Sequence, residues 1–67
     1  MHIYMIRKIG TKRYYAGGGH WYSRSVGMIW WNDDGLKRAY KIFERLRTNN
    51  QCEIVKFEYK EMKHDTT

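Results

Sequence analysis

The chain opens with a short apolar run, Ile3-Tyr4-Met5-Ile6, that meets water only at Arg7 and Lys8. Successive side chains of a strand point to opposite faces, so this run predicts a central strand covered on both sides. Gly10-Thr11 supplies a turn, and Lys12 to Ala16 predicts a second strand with Tyr14 and Tyr15 on opposite faces. The two strands read as a hairpin with Lys8, Lys12 and Arg13 near its tip. Gly17-Gly18-Gly19 interrupts the second strand, which calls for either positive φ or a mobile loop there. An apolar cluster, His20-Trp21-Tyr22, and a polar link, Ser23 to Ser25, come next. Val26 to Trp31 predicts a third strand, with Gly27 as a bulge and the indoles of Trp30 and Trp31 on opposite faces. One indole is expected inside, and the other exposed or laid over an edge.

The period then changes. Leu36, Ala39, Tyr40, Phe43 and Leu46 recur at helical spacing, and at about 100° per residue these five with Ile42 fill an arc of roughly 160°. That arc is one apolar face, wide enough to lie on a sheet. Asp33 or Asp34 is expected to cap the helix start, and Asn49-Asn50 to end it in the left-handed conformation. Lys37, Arg38, Lys41 and Arg45 share the opposite face with Glu44. From Cys52 to Met62 the alternation returns: Val55, Phe57 and Tyr59 on one face, Lys56, Glu58 and Lys60 on the other, with Ile54 adding an apolar residue to the polar face. The order β-β-β-α-β predicts an α+β fold, a small three- to four-stranded sheet with one helix packed on one face. Residues 1–63 form a single domain, and His64 to Thr67, with nothing to bury, a frayed tail.

Composition sharpens this picture in three ways. A chain of 67 residues is one domain, and one this short buries only about 60% of the surface its unfolded form exposes. The three Trp, six Tyr and two Phe are therefore first a means of packing. The net charge of +6 favours acidic partners: nucleic acid, an acidic protein surface or anionic lipid. Cys52 is the one cysteine, so no internal disulfide forms and a reducing compartment is expected. Arg7 and Lys8 interrupt what a signal peptide would need as its apolar core, and no run approaches the roughly 20 apolar residues of a membrane span. A cytoplasmic location, away from the membrane, is the expectation.

Tyr14-Tyr15-Ala16-Gly17-Gly18-Gly19-His20-Trp21, with Tyr4-Met5-Ile6-Arg7 before it and Cys52-Glu53-Ile54-Val55 after it, resembles a loose group of small bacteriophage and prophage proteins. Members start with a Y-I-I-R strand, leave their hairpin through YY-x-G-G-G-x-W, and close with an alanine-bearing helix and an E-I-V strand. Where the group carries A-K-x-F after the Trp, this chain has Gly27-Met28-Ile29-Trp30-Trp31. The resemblance implies a phage accessory protein acting in the bacterial cytoplasm on a host or defence protein. It carries over no functional residue.

No residue set in the chain identifies a reaction. The glycine triplet lacks the Lys-Ser/Thr of a phosphate-binding loop and no predicted helix starts directly behind it, so it reads as a strand breaker. His2, His20, His64 and Cys52 do not stand at zinc spacing. Cys52, near a strand start, reads as a small core residue. No nucleophile, base and orienting group occur as a set, so neither an enzyme nor a cofactor is expected.

The outer helix face is the best lead. Lys37 and Lys41, and Lys41 and Arg45, are like charges one turn apart, and each such pair costs an isolated helix a few tenths of a kcal/mol, roughly 0.2–0.5. The first functional expectation is an interaction module that binds a protein with an acidic surface and inhibits or redirects it. Trp21 and Trp31 would be its anchors, and Lys37, Arg38, Lys41 and Arg45 the charged surround. The alternative is nucleic-acid binding, with Arg7, Lys12, Arg13 and Tyr14 as contacts. A homodimer through an unprotected sheet edge or an exposed indole is a third reading.

Overall fold

A computed structural model describes residues 2–58. The expected positions of Tyr59 to Met62 on the last strand, and the tail from His64, lie outside the described residues. The fold is α+β: a five-stranded antiparallel sheet with one helix packed against it. The elements run β1 (His2–Lys8), β2 (Tyr14–Gly17), β3 (His20–Tyr22), β4 (Trp30–Trp31), α1 (Asn32–Leu46) and β5 (Cys52–Glu58).

The apolar run at Ile3–Ile6 makes β1 the central strand. One edge of β1 is paired along its whole length with β5, from His2↔Glu58 to Lys8↔Cys52. Its other edge is shared: β2 takes the Arg7 end and β4 takes Ile3 and Tyr4. Ile3, Met5 and Ile6 are almost wholly buried, as a strand covered on both faces requires. On the helix side Tyr4 and Ile6 pack with Trp30, Ala39 and Cys52, and Leu36, Ile42, Phe43, Leu46 and Ile54 close around them. Ile54, on the otherwise polar face of β5, thus belongs to the helix-side core. Tyr40 does not: it stays 52% exposed at the rim of the apolar arc, its ring edge-on to Phe43 at 5.7 Å.

The other face of β1 is covered by chain rather than by a helix. Residues leaving β3 cross it, with the Arg24 guanidinium 5.2 Å from the centre of the Phe57 ring. Gly27 lies so close that a Cβ there would sit 2.6 Å from Met5 Cε and 2.9 Å from Tyr14 Cβ. This corrects the expectation of a strand over Val26–Trp31 with a bulge at Gly27. β2 takes the Arg7 end of this edge of β1, the segment pairs with it only at Ile3 and Tyr4, and β4 shrinks to Trp30–Trp31. Gly27 is a crossing point over the core, not a bulge.

The glycine triplet turns out to be a hairpin. Gly17, Gly18 and Gly19 all have positive φ (+96°, +58° and +79°), and the chain returns at once as β3, with Tyr15↔Trp21 and Tyr14↔Tyr22 paired. Positive φ at both central residues is what a two-residue hairpin turn demands, and glycine meets it without a steric penalty. The cluster His20-Trp21-Tyr22 is therefore a strand.

The helix ends differ from expectation. Neither Asp33 nor Asp34 caps α1; Trp31 occupies the N-cap without a side-chain hydrogen bond. Asn32, not Asn49 or Asn50, adopts positive φ, at +56°. The helix ends at Leu46, and the backbone N–H groups of Asn49 and Asn50 and the Asn50 side-chain amide all donate to the Leu46 carbonyl. Folding back on one carbonyl satisfies the helix end without a left-handed residue.

Candidate interaction surface

Asp33 has a different task from capping. Its Oδ1 lies 3.1 Å from His2 Nε2 and accepts the Tyr4 hydroxyl hydrogen at 3.3 Å, and the His2 backbone N–H donates to Asn32 Oδ1 at 3.5 Å. The start of β1 is thereby tied to the start of α1. The His2 hydrogen bond, and after it that of Tyr4, holds the Asp33 carboxyl below the usual carboxylate range. Burial, and then the Asp33 charge, pushes the Tyr4 hydroxyl above its ordinary value. With β1 and α1 joined at this end, the helix C-terminus falls near Lys8 and the β1–β2 turn, where Ile9 N–H donates to the Gln51 carbonyl.

The indoles separate as adjacent strand residues must. Trp30 pairs with Tyr4 and points into the helix-side core, 7% exposed. Trp31 pairs with Ile3 on the opposite side and stays 45% exposed. Trp21 is half-buried on the helix side, edge-on to Tyr15 at 5.5 Å, with Lys8 Nζ 5.5 Å from its ring centre.

Lys37, Arg38, Lys41 and Arg45 are all exposed on the outer face of α1. Among the described residues none of the four is in an ion pair; Glu44 faces Arg47 at 3.5 Å instead. The structure thus gathers the four cations on one face but does not place Trp31 among them. The sheet stands between the basic helix face and that indole.

The four residues weighed for nucleic acid are largely committed elsewhere. Arg7 Nη2 and Nε both donate to Glu53 Oε2, at 2.6 and 3.1 Å, across the β1–β5 register. Tyr14 is 6% exposed beneath Gly27, so its ring face cannot receive a base. Lys12 and Arg13 are exposed, and the Arg13 guanidinium reaches the Trp21 carbonyl at 3.5 Å.

What periodicity did not single out is the apolar strip around Trp31. Val26, Met28 and Ile29, just before it in the chain, are exposed as well, at 58%, 37% and 36%. Reading these residues as a strand hid them, since alternation would have placed some of them inside. Among the described residues no group of three or more His, Cys, Asp or Glu could hold a metal ion, and no helix is long and apolar enough to cross a membrane. Compared with family models, curated proteins and solved structures, the chain matches none.

Proposed function

We propose that this chain is a protein-interaction module that docks through the strip Val26-Met28-Ile29-Trp31, with Trp31 as its anchor. The supporting observation is the contrast within one small molecule. Ile3, Met5, Ile6 and Ala39 are essentially removed from water, while four large apolar residues within six positions are left facing it. Large apolar residues left exposed together in one short stretch of chain are what an interaction patch is built from, and Trp is enriched among residues that dominate binding energy.

The outer face of α1 serves a second role in this reading. Four cations without carboxylate partners in the described chain, on a protein of net charge +6, draw an acidic partner in by long-range attraction and raise its association rate. The resemblance to phage proteins suggests that the partner is a host or defence protein in the bacterial cytoplasm, and that docking inhibits or redirects it. No catalysis is invoked.

The same cations favour nucleic acid as a second reading. The test is affinity capture from nuclease-treated bacterial lysate, with proteins identified by mass spectrometry and the salt raised from about 50 to 200 mM. A specific protein retained at the higher salt supports docking. Recovery of nucleic acid alone, lost over that range, overturns it.

A further inference from the structure

A groove of about 220 Å³ opens on the helix side, between β2 and the last turn of α1, lined by Tyr15, Ile42, Arg45, Leu46, Asn49 and Asn50. It lies on the face of the sheet away from Trp31 and does not depend on that patch. Its floor is apolar, from Tyr15, Ile42 and Leu46. Its rim carries one guanidinium and two amides, and no carboxylate lines it.

Positive charge continues past the rim. Tyr15 packs edge-on against Trp21 at 5.5 Å; Lys8 Nζ lies 5.5 Å from the Trp21 ring centre and the Arg13 guanidinium 3.5 Å from the Trp21 carbonyl. Arg45 has no ion-pair partner among the described residues. The nearby acids are occupied: Glu44 with Arg47 on the helix, and Glu53 with Arg7 on the other side of the sheet.

We infer that this groove receives an apolar side chain of an acidic peptide segment, whose carboxylates pair with Arg45 on one side and with Lys8 and Arg13 on the other. Three observations select that occupant. The volume is below the roughly 300–1,000 Å³ of small-molecule sites, which fits one side chain of a larger partner. The charged groups at the rim and beside it, Arg45, Lys8 and Arg13, are all cationic, and the rim's two other polar groups are neutral amides, which selects flanking acids. Nucleic acid would need an open ring face for stacking, but Trp21 carries Lys8 over its face and meets Tyr15 edge-on.

The test uses fluorescence anisotropy with three labelled probes at about 150 mM salt. They are a short peptide of Glu and Asp with one central Phe, the same peptide with Ser in place of Phe, and a thymidine oligonucleotide of equal length. The Phe peptide is expected to bind at least about tenfold more tightly than the Ser peptide. Arg45→Glu and Asn49→Trp, both at exposed positions and checked for native far-ultraviolet circular dichroism and cooperative urea unfolding, are each expected to remove that preference: the first reverses the rim charge and the second fills the groove. Equal affinity for the two peptides overturns the inference, as does tighter binding of the oligonucleotide. Persistence of the preference in either folded variant also overturns it.

Discussion

Trp30 and Trp31 are neighbours in the chain but lie on opposite sides of the sheet, 7% and 45% exposed. Their cross-strand partners fix this: Tyr4 faces the helix and Ile3 faces away from it, so each indole follows the residue it pairs with. Under the proposed function, stability falls to one of these two identical side chains and recognition to the other. Trp30→Ala is expected to cost about 3–5 kcal/mol, the usual range for emptying a well-packed aromatic site. Trp31→Ser is expected to cost about 1–2 kcal/mol, because nearly half its surface already meets water. Urea unfolding of both variants checks the difference. Equal costs would mean that Trp31 is a core residue.

Two glycines are close-approach positions. A Cβ at Gly27 would meet Tyr14 Cβ at 2.9 Å as well as the Met5 terminus at 2.6 Å, and one at Gly35 would meet the Trp30 backbone at 2.8 Å. The Met5 methyl can move, but the Tyr14 Cβ and the Trp30 main chain cannot without shifting a strand. Gly27→Ala is expected to destabilise by about 1–3 kcal/mol, as overpacking does. Gly35→Ala gains about 1 kcal/mol of helix propensity, yet is still expected to be net destabilising because the clash is with backbone. Thermal melts of the two variants test this, and a raised melting temperature for Gly35→Ala would contradict it.

Asp33 makes stability depend on pH. Its carboxyl is held below the usual range, chiefly by the His2 hydrogen bond. A depressed carboxylate contributes stability that is fully present above its unfolded value, about 3.9. That contribution is lost as pH falls through the lower folded value. Between about pH 5 and pH 2.5 the wild type is therefore expected to lose more stability than Asp33→Asn. Parallel urea titrations at the two pH values measure it, and identical losses would remove Asp33 from the account of acid sensitivity.

The helix-side core can be probed through its one thiol. Cys52 is buried, and desolvation pushes its thiol above the ordinary value, so the reactive thiolate is scarce at neutral pH. Reaction with a disulfide reagent is expected to be slow in the native protein and to become rapid in denaturant. Fast native labelling would place Cys52 at the surface.

Much of the architecture was legible because it rests on local rules. Four apolar residues in a row announced the central strand, helical spacing from Leu36 to Leu46 announced the helix, and alternation after Cys52 announced the closing strand. The segment from His20 to Ile29 was not legible, because its conformation depends on which edge of β1 is vacant. That is decided by the β1–β2 pairing and not by anything within the segment. Asp33 was misread for a similar reason. Two acids before a helix look like caps, but His2 and Tyr4 arrive from 31 and 29 residues away to engage the carboxylate. The cationic helix face was visible in the spacing of Lys37, Arg38, Lys41 and Arg45. Its separation from Trp31 required the sheet.

The most direct measurement is the affinity of the captured partner protein for wild type, for Trp31→Ser, and for a variant with Lys37, Arg38, Lys41 and Arg45 all changed to Gln. Docking through the apolar strip predicts a loss of at least about thirtyfold for Trp31→Ser, as for a hot-spot residue. The charge variant should lose mainly association rate. Wild-type affinity in Trp31→Ser, together with abolished binding in the charge variant, would contradict it and move the interface to the helix.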